Sequence, residues 1–323
     1  MARQSAPKTI ERARTPTTSP TRRPRPLVLG IVLSLRPSQW TKNLIVFAGL
    51  IFGQRLLDPD AIWRSLVAFA VFCALSGVVY LVNDVADREA DRTHPLKKHR
   101  PIASGDVSVA LALVVAAVLA AAALSVAFAL RFEFGTTALT YVVLQALYSG
   151  PLKQIVIIDV LTISMGFVLR AVAGAVVIAE PVSHWLLILT VLLALFLALS
   201  KRRHELVLLA EGATSHRKIL KEYSPYLLDQ MISVVTASTL VAYAFYTVSP
   251  ETIQKFNTDK LGLTLPFPLY GIFRYLYLVH QKEGGGSPSD LLLNDRPLLL
   301  CVLAWAIAVA LIIYGPSQQL QFR

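Results

Sequence analysis

Asp84, Asp87 and Asp91 stand at i, i+3 and i+7 in the run Asn83-Asp84-Val85-Ala86-Asp87-Arg88-Glu89-Ala90-Asp91-Arg92. On a helix this spacing gathers the three carboxylates within about 60° of one face. Carboxylates so placed repel one another unless a cation lies between them. Hard oxygen donors suit Mg2+, which takes one or two carboxylates and fills its shell with water and a substrate's phosphates. The chain continues through Lys97, Lys98 and Arg100, which supply positive charge for such an anion. The plainer alternative is a solvated loop whose acids pair with Arg88 and Arg92.

Two further groups have the composition of anion sites. Lys201-Arg202-Arg203-His204-Glu205, with Arg217, Lys218 and Lys221 downstream, would face the carboxylates from a second loop. Alternatively it anchors a helix end, and Lys201 and Glu205, four apart, form a surface pair worth a few tenths of a kcal/mol. The third group is Tyr148, Ser149 and Lys153, followed by Asp159 and Arg170. The last two are about three turns apart and share a helix face. An arginine inside an apolar segment is costly and faces a polar cavity or a partner, so a structural Asp159–Arg170 pair is the alternative to a ligand site. Gly166 and Gly174 leave room beside Arg170 for a helix or a ligand. Arg36, Gln39, Trp40, Lys42 and Asn43 cluster ahead of the first apolar segment; Trp40 also suits an interfacial aromatic belt. Cys73 and Cys301 fall in apolar runs, which argues against a disulfide framework or a thiolate metal site.

The elements that must position these groups follow from composition. The 323 residues are 55% hydrophobic and 16% charged, with a mean hydropathy of +0.58; soluble domains sit near 45–50% and about 25%. Lys and Arg number 31 against 20 Asp and Glu, a net charge of +11. These values exclude a secreted scaffold, a soluble nucleic-acid binder and a disordered chain, and predict an all-α polytopic membrane protein. Residues 1–26 read as a disordered basic tail and residues 27–323 as a single membrane domain. The short apolar run 27–35 has no small-residue cleavage pattern after it and is not a signal peptide. With about 20 apolar residues needed per crossing, nine spans are expected: 43–57, 61–83, 107–130, 135–150, 157–179, 184–203, 230–249, 265–280 and 297–314. A cytoplasmic N-terminus puts 23 of the 31 cations on the cytoplasmic side, as the positive-inside rule requires, and leaves the C-terminus outside. The Asp84, Lys153 and Lys201 groups then share the cytoplasmic edge of the bilayer.

Together, Asn83-Asp84-x-x-Asp87-x-x-x-Asp91 and Arg100-Pro101-Ile102-Ala103-Ser104-Gly105 resemble the first aspartate-rich motif of the UbiA superfamily of intramembrane prenyltransferases. Leu35 to Asn43, Tyr148-Ser149 with Leu152-Lys153 and Asp159, Gly166 to Ala171, and Gly284-Gly285 with Asp295-Arg296 resemble its decaprenyl-phosphate phosphoribosyltransferase branch. The resemblance covers about residues 34–315 and implies a UbiA-like bundle of nine transmembrane helices. It implies Mg2+ on Asp84, Asp87 and Asp91, and transfer of 5-phosphoribosyl from phosphoribosyl pyrophosphate to a polyprenyl phosphate. In that picture Lys42, Lys153 and Lys201 act beside the aspartates, and Asn83, Arg88, Lys97, Arg100, Tyr148, Asp159, Arg170, Arg202 and Glu205 bind substrate. The tail of the acceptor lies among apolar helices in membrane lipid, and no nucleic acid takes part. Typical members carry a second aspartate-rich motif after the sixth span, where this chain has Lys201-Arg202-Arg203-His204-Glu205. That departure puts a second metal in doubt and favours a substrate with a bare phosphate. The alternatives are an ordinary UbiA-type transfer of an isoprenoid to an aromatic acceptor, and a lipid-phosphate carrier using Arg170 and Arg274. Isoprenoid length and oligomeric state leave no mark on the sequence.

Overall fold

Apolar runs this long satisfy their backbone hydrogen bonds inside a bilayer by closing into helices. A computed structural model describes residues 25–94, 97–210, 218–282 and 288–315, and all regular structure among them is helical. The expected tail lies almost wholly outside the described residues, as do Arg217, Gly284, Gly285 and the side chains of Lys218 and Lys221.

In chain order the α-helices are α1 (Leu27–Ser34), α2 (Ala48–Phe52), α3 (Pro59–Ala86), α4 (Arg88–Thr93), α5 (Pro101–Ser104), α6 (Val109–Leu130) and α7 (Phe132–Ser149). They continue with α8 (Ile158–Val177), α9 (His184–Ala210), α10 (Pro225–Val248), α11 (Pro250–Phe256), α12 (Pro266–Gln281), α13 (Pro288–Asn294) and α14 (Arg296–Tyr314). Local chemistry sets several starts. Asp58 caps α3 by accepting from Asp60 N and Ala61 N ahead of Pro59, Ser224 caps α10 ahead of Pro225, and Asp295 caps α14.

Six helices, α3, α6, α8, α9, α10 and α14, are long and apolar enough to cross a membrane. The other three expected spans are helical but shorter or more polar. Segment 135–150 falls in the 18-residue α7, and 265–280 in the 16-residue α12. Segment 43–57 differs most: its first part belongs to an eleven-residue 3-10 helix, Pro37–Phe47, which passes into the five-residue α2. A 3-10 run this long is unusual and marks strain or function.

Packing explains where that segment sits. Neighbouring helices line up in sequence as α3 on α6, α6 on α7, α7 on α8, α8 on α9 and α9 on α10, with α14 returning against α12. The 3-10 helix and α2 lie across α8. Gly49 meets the backbone of Gly174 and Ala175, and a Cβ on Gly174 would collide with the backbone of Val46. Small residues permit this close approach, as they do between membrane helices generally. The room beside Arg170 is therefore taken by another element, and the contact fixes the height of Lys42 and Asn43.

Replacing Gly174 with valine should force that segment outward. The expected cost is about 1–3 kcal/mol, read as a lower thermal midpoint in detergent, while Val176→Ala at a half-buried neighbour should shift it far less.

Candidate functional site

The bundle encloses a cavity of about 1540 Å3. At one end it is walled by Arg36, Lys42, Asn83, Asp84, Asp87, Lys97, Arg100, Tyr148, Lys153 and Lys201, with Arg170 deeper in. Below them the wall turns apolar with Phe167, Leu193, Leu197, Leu298 and Val302. Aromatic groups Phe52, Trp185, Tyr243, Tyr246 and Trp305 follow, and the cavity continues to Glu180, His184, Glu251 and Lys255 at the opposite end. Between the 3-10 helix and α14, Trp305 packs at a tilt on Phe52, with centroids 6.4 Å apart, and Tyr314 donates to Ile51 O at 2.8 Å, while Leu44, Val302 and Leu303 line the cavity and remain exposed.

The aspartate wall differs from a single helix face. α3 ends at Ala86, Asp87 leaves helical geometry, and α4 resumes at Arg88. Asp84 is buried, and its Oδ1 accepts from Arg36 Nη2 at 2.5 Å and from Arg100 Nη1 at 3.1 Å. Arg100 Nη1 also donates to Asp91 Oδ2 at 2.6 Å. The cation between Asp84 and Asp91 is thus a guanidinium, and Asp91 does not reach the cavity wall. Among the described residues no three carboxylate, imidazole or thiolate groups gather as a metal cage, and Asp91, expected beside Asp84 and Asp87, is held by Arg100. Asp84 and Asp87 with the Asn83 amide still form a hard oxygen set of the size Mg2+ uses when phosphates complete its shell. Both arginines take the same Asp84 oxygen, so Oδ2 faces neither.

Arg170 and Arg202 part company. Arg170 Nε donates to Asn43 Oδ1 at 2.7 Å, Nη2 to the Tyr141 hydroxyl at 2.7 Å and Nη1 to Gly166 O at 2.8 Å. Its guanidinium also lies over the Tyr141 ring, 4.6 Å from the centroid. These partners are all neutral, so they orient the charge without cancelling it. Arg202 is 1% exposed and absent from the cavity wall. It donates to Asp159 Oδ2 at 2.8 Å, Glu205 Oε2 at 2.7 Å and the Tyr148 hydroxyl at 3.1 Å, while the Tyr223 hydroxyl donates to Asp159 Oδ1 at 2.9 Å. Asp159 therefore pairs with Arg202 and not with Arg170. Arg202, Asp159 and Glu205 form a buried brace that aims Tyr148 and Lys201, and Arg88 likewise stays off the wall, bonding Glu89 at 3.4 Å. Arg274, 28% exposed at its side chain, is paired with Asp295 and lies outside the cavity that Arg170 lines.

The mouth also holds residues that sequence patterns did not single out as site members. Arg36 sits in a left-handed backbone (φ 52°) with its guanidinium 4.6 Å from the Tyr80 ring centroid. Gln145 and Asp290 join the wall. Burial, then the charges of Lys201, Arg170 and Arg36, lower the Lys42 ammonium to about 8, and Asp290 partly offsets this.

A helical bundle with membrane-spanning helices carries cations and carboxylates over an apolar chamber. Comparisons with known proteins agree. A sequence model of the UbiA prenyltransferase family matches residues 43–294. The decaprenyl-phosphate phosphoribosyltransferase of Mycolicibacterium smegmatis is 33% identical over 312 residues, covering 93% of this chain and 96% of the relative. That of Corynebacterium glutamicum is 33% identical over 309 residues, covering 90% and 89%. A UbiA homolog from Archaeoglobus fulgidus, solved with GPP and Mg2+, superposes with a TM-score of 0.68 at 17% identity, covering 88% of this chain and 99% of that one. The chain belongs to the UbiA prenyltransferase family and is a multi-pass membrane protein.

Two outcomes test the assignments. Arg202→Ala should strand Asp159 and cost about 3–5 kcal/mol of stability, seen as a large fall in thermal midpoint that Lys201→Ala does not share. A soluble phosphomonoester should bind less tightly as pH rises through about 8, where Lys42 loses its proton; an ordinary lysine would hold its charge to about 10.4. Lys42→Arg should flatten that fall, and an unchanged profile would assign the pH dependence elsewhere.

Proposed function

We propose that this protein transfers the 5-phosphoribosyl group of phosphoribosyl pyrophosphate to a polyprenyl (decaprenyl-type) phosphate, releasing pyrophosphate, at the cytoplasmic face of the cell membrane. The observation that carries this reading is the composition of the mouth. One wall bears Asp84, Asp87 and Asn83, and the α9 end presents Lys201 where a second aspartate motif would stand. One metal-bearing wall suits a diphosphate donor, and a cationic wall suits an acceptor with a bare phosphate. Relatives named for this reaction match nine-tenths of the chain or more, and the bias of 23 cations toward one side supports a cytoplasmic mouth and an N-in bundle of nine spans.

Asp84 and Asp87 would hold Mg2+, with Asn83 orienting the donor beside them. When bound, the ion supplies Lewis-acid charge to the leaving diphosphate. Arg36, Arg100 and Lys97 take the remaining phosphate oxygens. Lys42, Lys153, Lys201 and Arg170 draw in the acceptor's phosphate, and its polyprenyl tail enters beside Leu44 and lies along the apolar wall. Cleavage of the bond from C1 to the diphosphate oxygen gives an oxocarbenium-like centre. A phosphate oxygen of the acceptor then bonds C1 from the opposite side, inverting the anomer. That oxygen is already an anion, so no proton need be removed. Fixed charges aimed at shifting charge are the expected source of rate.

Protein reconstituted in lipid with Mg2+ should convert labelled phosphoribosyl pyrophosphate and decaprenyl phosphate to a lipid-linked phosphoribose. Asp84→Asn and Asp87→Asn should each lower turnover by about 100-fold or more. Lys201→Ala should raise the KM for the lipid phosphate about 10-fold, the size of one charge-assisted contact. Turnover of a prenyl diphosphate onto an aromatic acceptor, with none of phosphoribosyl pyrophosphate, would replace this reading with the ordinary prenyl transfer of the family.

A further inference from the structure

Asp84 is the best-placed metal ligand in the mouth, yet it is already matched by two guanidiniums. Arg36 and Arg100 lie 2.5 and 3.1 Å from the same Oδ1, and Arg100 also neutralises Asp91 at 2.6 Å. Two carboxylates therefore face two arginines, and the local charge is balanced. A bare dication at Asp84 would sit within a few ångströms of both guanidiniums, where repulsion between like charges is only partly screened. A metal carried with a diphosphate meets the opposite situation, since the diphosphate brings more negative charge than the ion neutralises.

Both arginines are built to change partners. Each has a side chain 28% exposed and each lines the cavity, whereas Asp84 is 3% exposed at its side chain and fixed in the last turn of α3. Arg36 is held by its contact with Tyr80 and by a left-handed backbone, the kind of strain that concentrates at functional sites. A planar guanidinium also grips phosphate oxygens in pairs, which an ammonium does not.

We propose that Arg36 and Arg100 mask Asp84 and surrender it only when a diphosphate arrives, so that the site takes up metal and diphosphate as one unit and rejects the bare ion. The inference rests on the reading of Asp84 and Asp87 as the metal-diphosphate wall. Released from Asp84, the two guanidiniums close on the diphosphate while the carboxylate turns to the ion. Binding of one therefore promotes binding of the other, and linkage makes the promotion reciprocal.

Titration of detergent-solubilised protein with Mn2+, followed by electron paramagnetic resonance, reads this directly. The free ion in equilibrium with inorganic pyrophosphate is measured separately and subtracted. Wild-type protein should bind Mn2+ at least about 10-fold more tightly with pyrophosphate than without, a coupling of about 1.4 kcal/mol. Arg36→Gln and Arg100→Gln should tighten binding of the bare ion and shrink the ratio toward one, and Arg36→Lys, which keeps charge but not the paired grip, should fall between. A purely structural role for these arginines would weaken both affinities together and leave the ratio unchanged, which overturns the proposal. Tight binding of the bare ion by the wild type overturns it as well. If Mn2+ binds under neither condition, the metal-diphosphate reading of this wall fails and the mask falls with it.

Discussion

Charge is expensive inside a bilayer. An ionised side chain at mid-depth costs several kcal/mol unless it finds a partner, water or a ligand, and this chain commits several of them to helices that cross or enter the apolar region. Most are settled by pairing across helices: Arg202 with Asp159, Arg274 with Asp295, and Arg36 and Arg100 with Asp84. The Arg202–Asp159 and Arg36–Asp84 pairs join segments 43 and 48 positions apart and so fix how those elements stack. Arg170 is the exception, because its partners are an amide, a carbonyl and a phenol. The charge it retains stands with Lys42 on the cavity wall.

Packing and electrostatics act here through the same few residues. Gly49 and Gly174 let the 3-10 helix lie against α8, and that contact brings Asn43 under Arg170 and Lys42 toward Lys201. The Asp159–Arg202 brace holds the end of α9 against α8, with Tyr148 of α7 on its edge. The polar mouth is thus assembled from α3, α7, α9 and the 3-10 helix at the aspartate end of the bundle, above an apolar chamber. In the proposed function, the head of a long-chain lipid phosphate lies among the cations and its tail among Leu193, Leu197 and Val302.

Much of this was legible in the sequence, because apolar run length and the placement of charges at run ends report directly on bilayer geometry. Six of the nine expected spans fall on helices long and apolar enough to cross a membrane, and Lys42, Asn83, Asp84, Asp87, Lys97, Arg100, Tyr148, Lys153, Arg170 and Lys201 line one cavity. Partner choice was not legible. Arg202 and Asp159 are 43 positions apart, Arg36 and Asp84 are 48 apart, and Arg170 and Asn43 are 127 apart. Such pairings depend on which helices touch, and that order is set by dispersed glycine and apolar contacts with no local signature. Spacing on an ideal helix therefore suggested an Asp159–Arg170 face and a three-aspartate cage, where packing delivered a brace and a guanidinium-matched Asp84. The 3-10 geometry of residues 37–47 and the contribution of Asp290 were hidden for the same reason.

The central claim is that one wall holds a metal with a diphosphate and the Lys201 wall holds a metal-free phosphate. An experimental structure with Mn2+, phosphoribosyl pyrophosphate and a short-chain polyprenyl phosphate tests it most directly through the anomalous scattering of the ion. The account predicts manganese at Asp84 and Asp87, none near Lys201, and the lipid phosphate beside Lys201 and Lys42. A second ion at the end of α9, or a lipid phosphate bound away from those lysines, would contradict it.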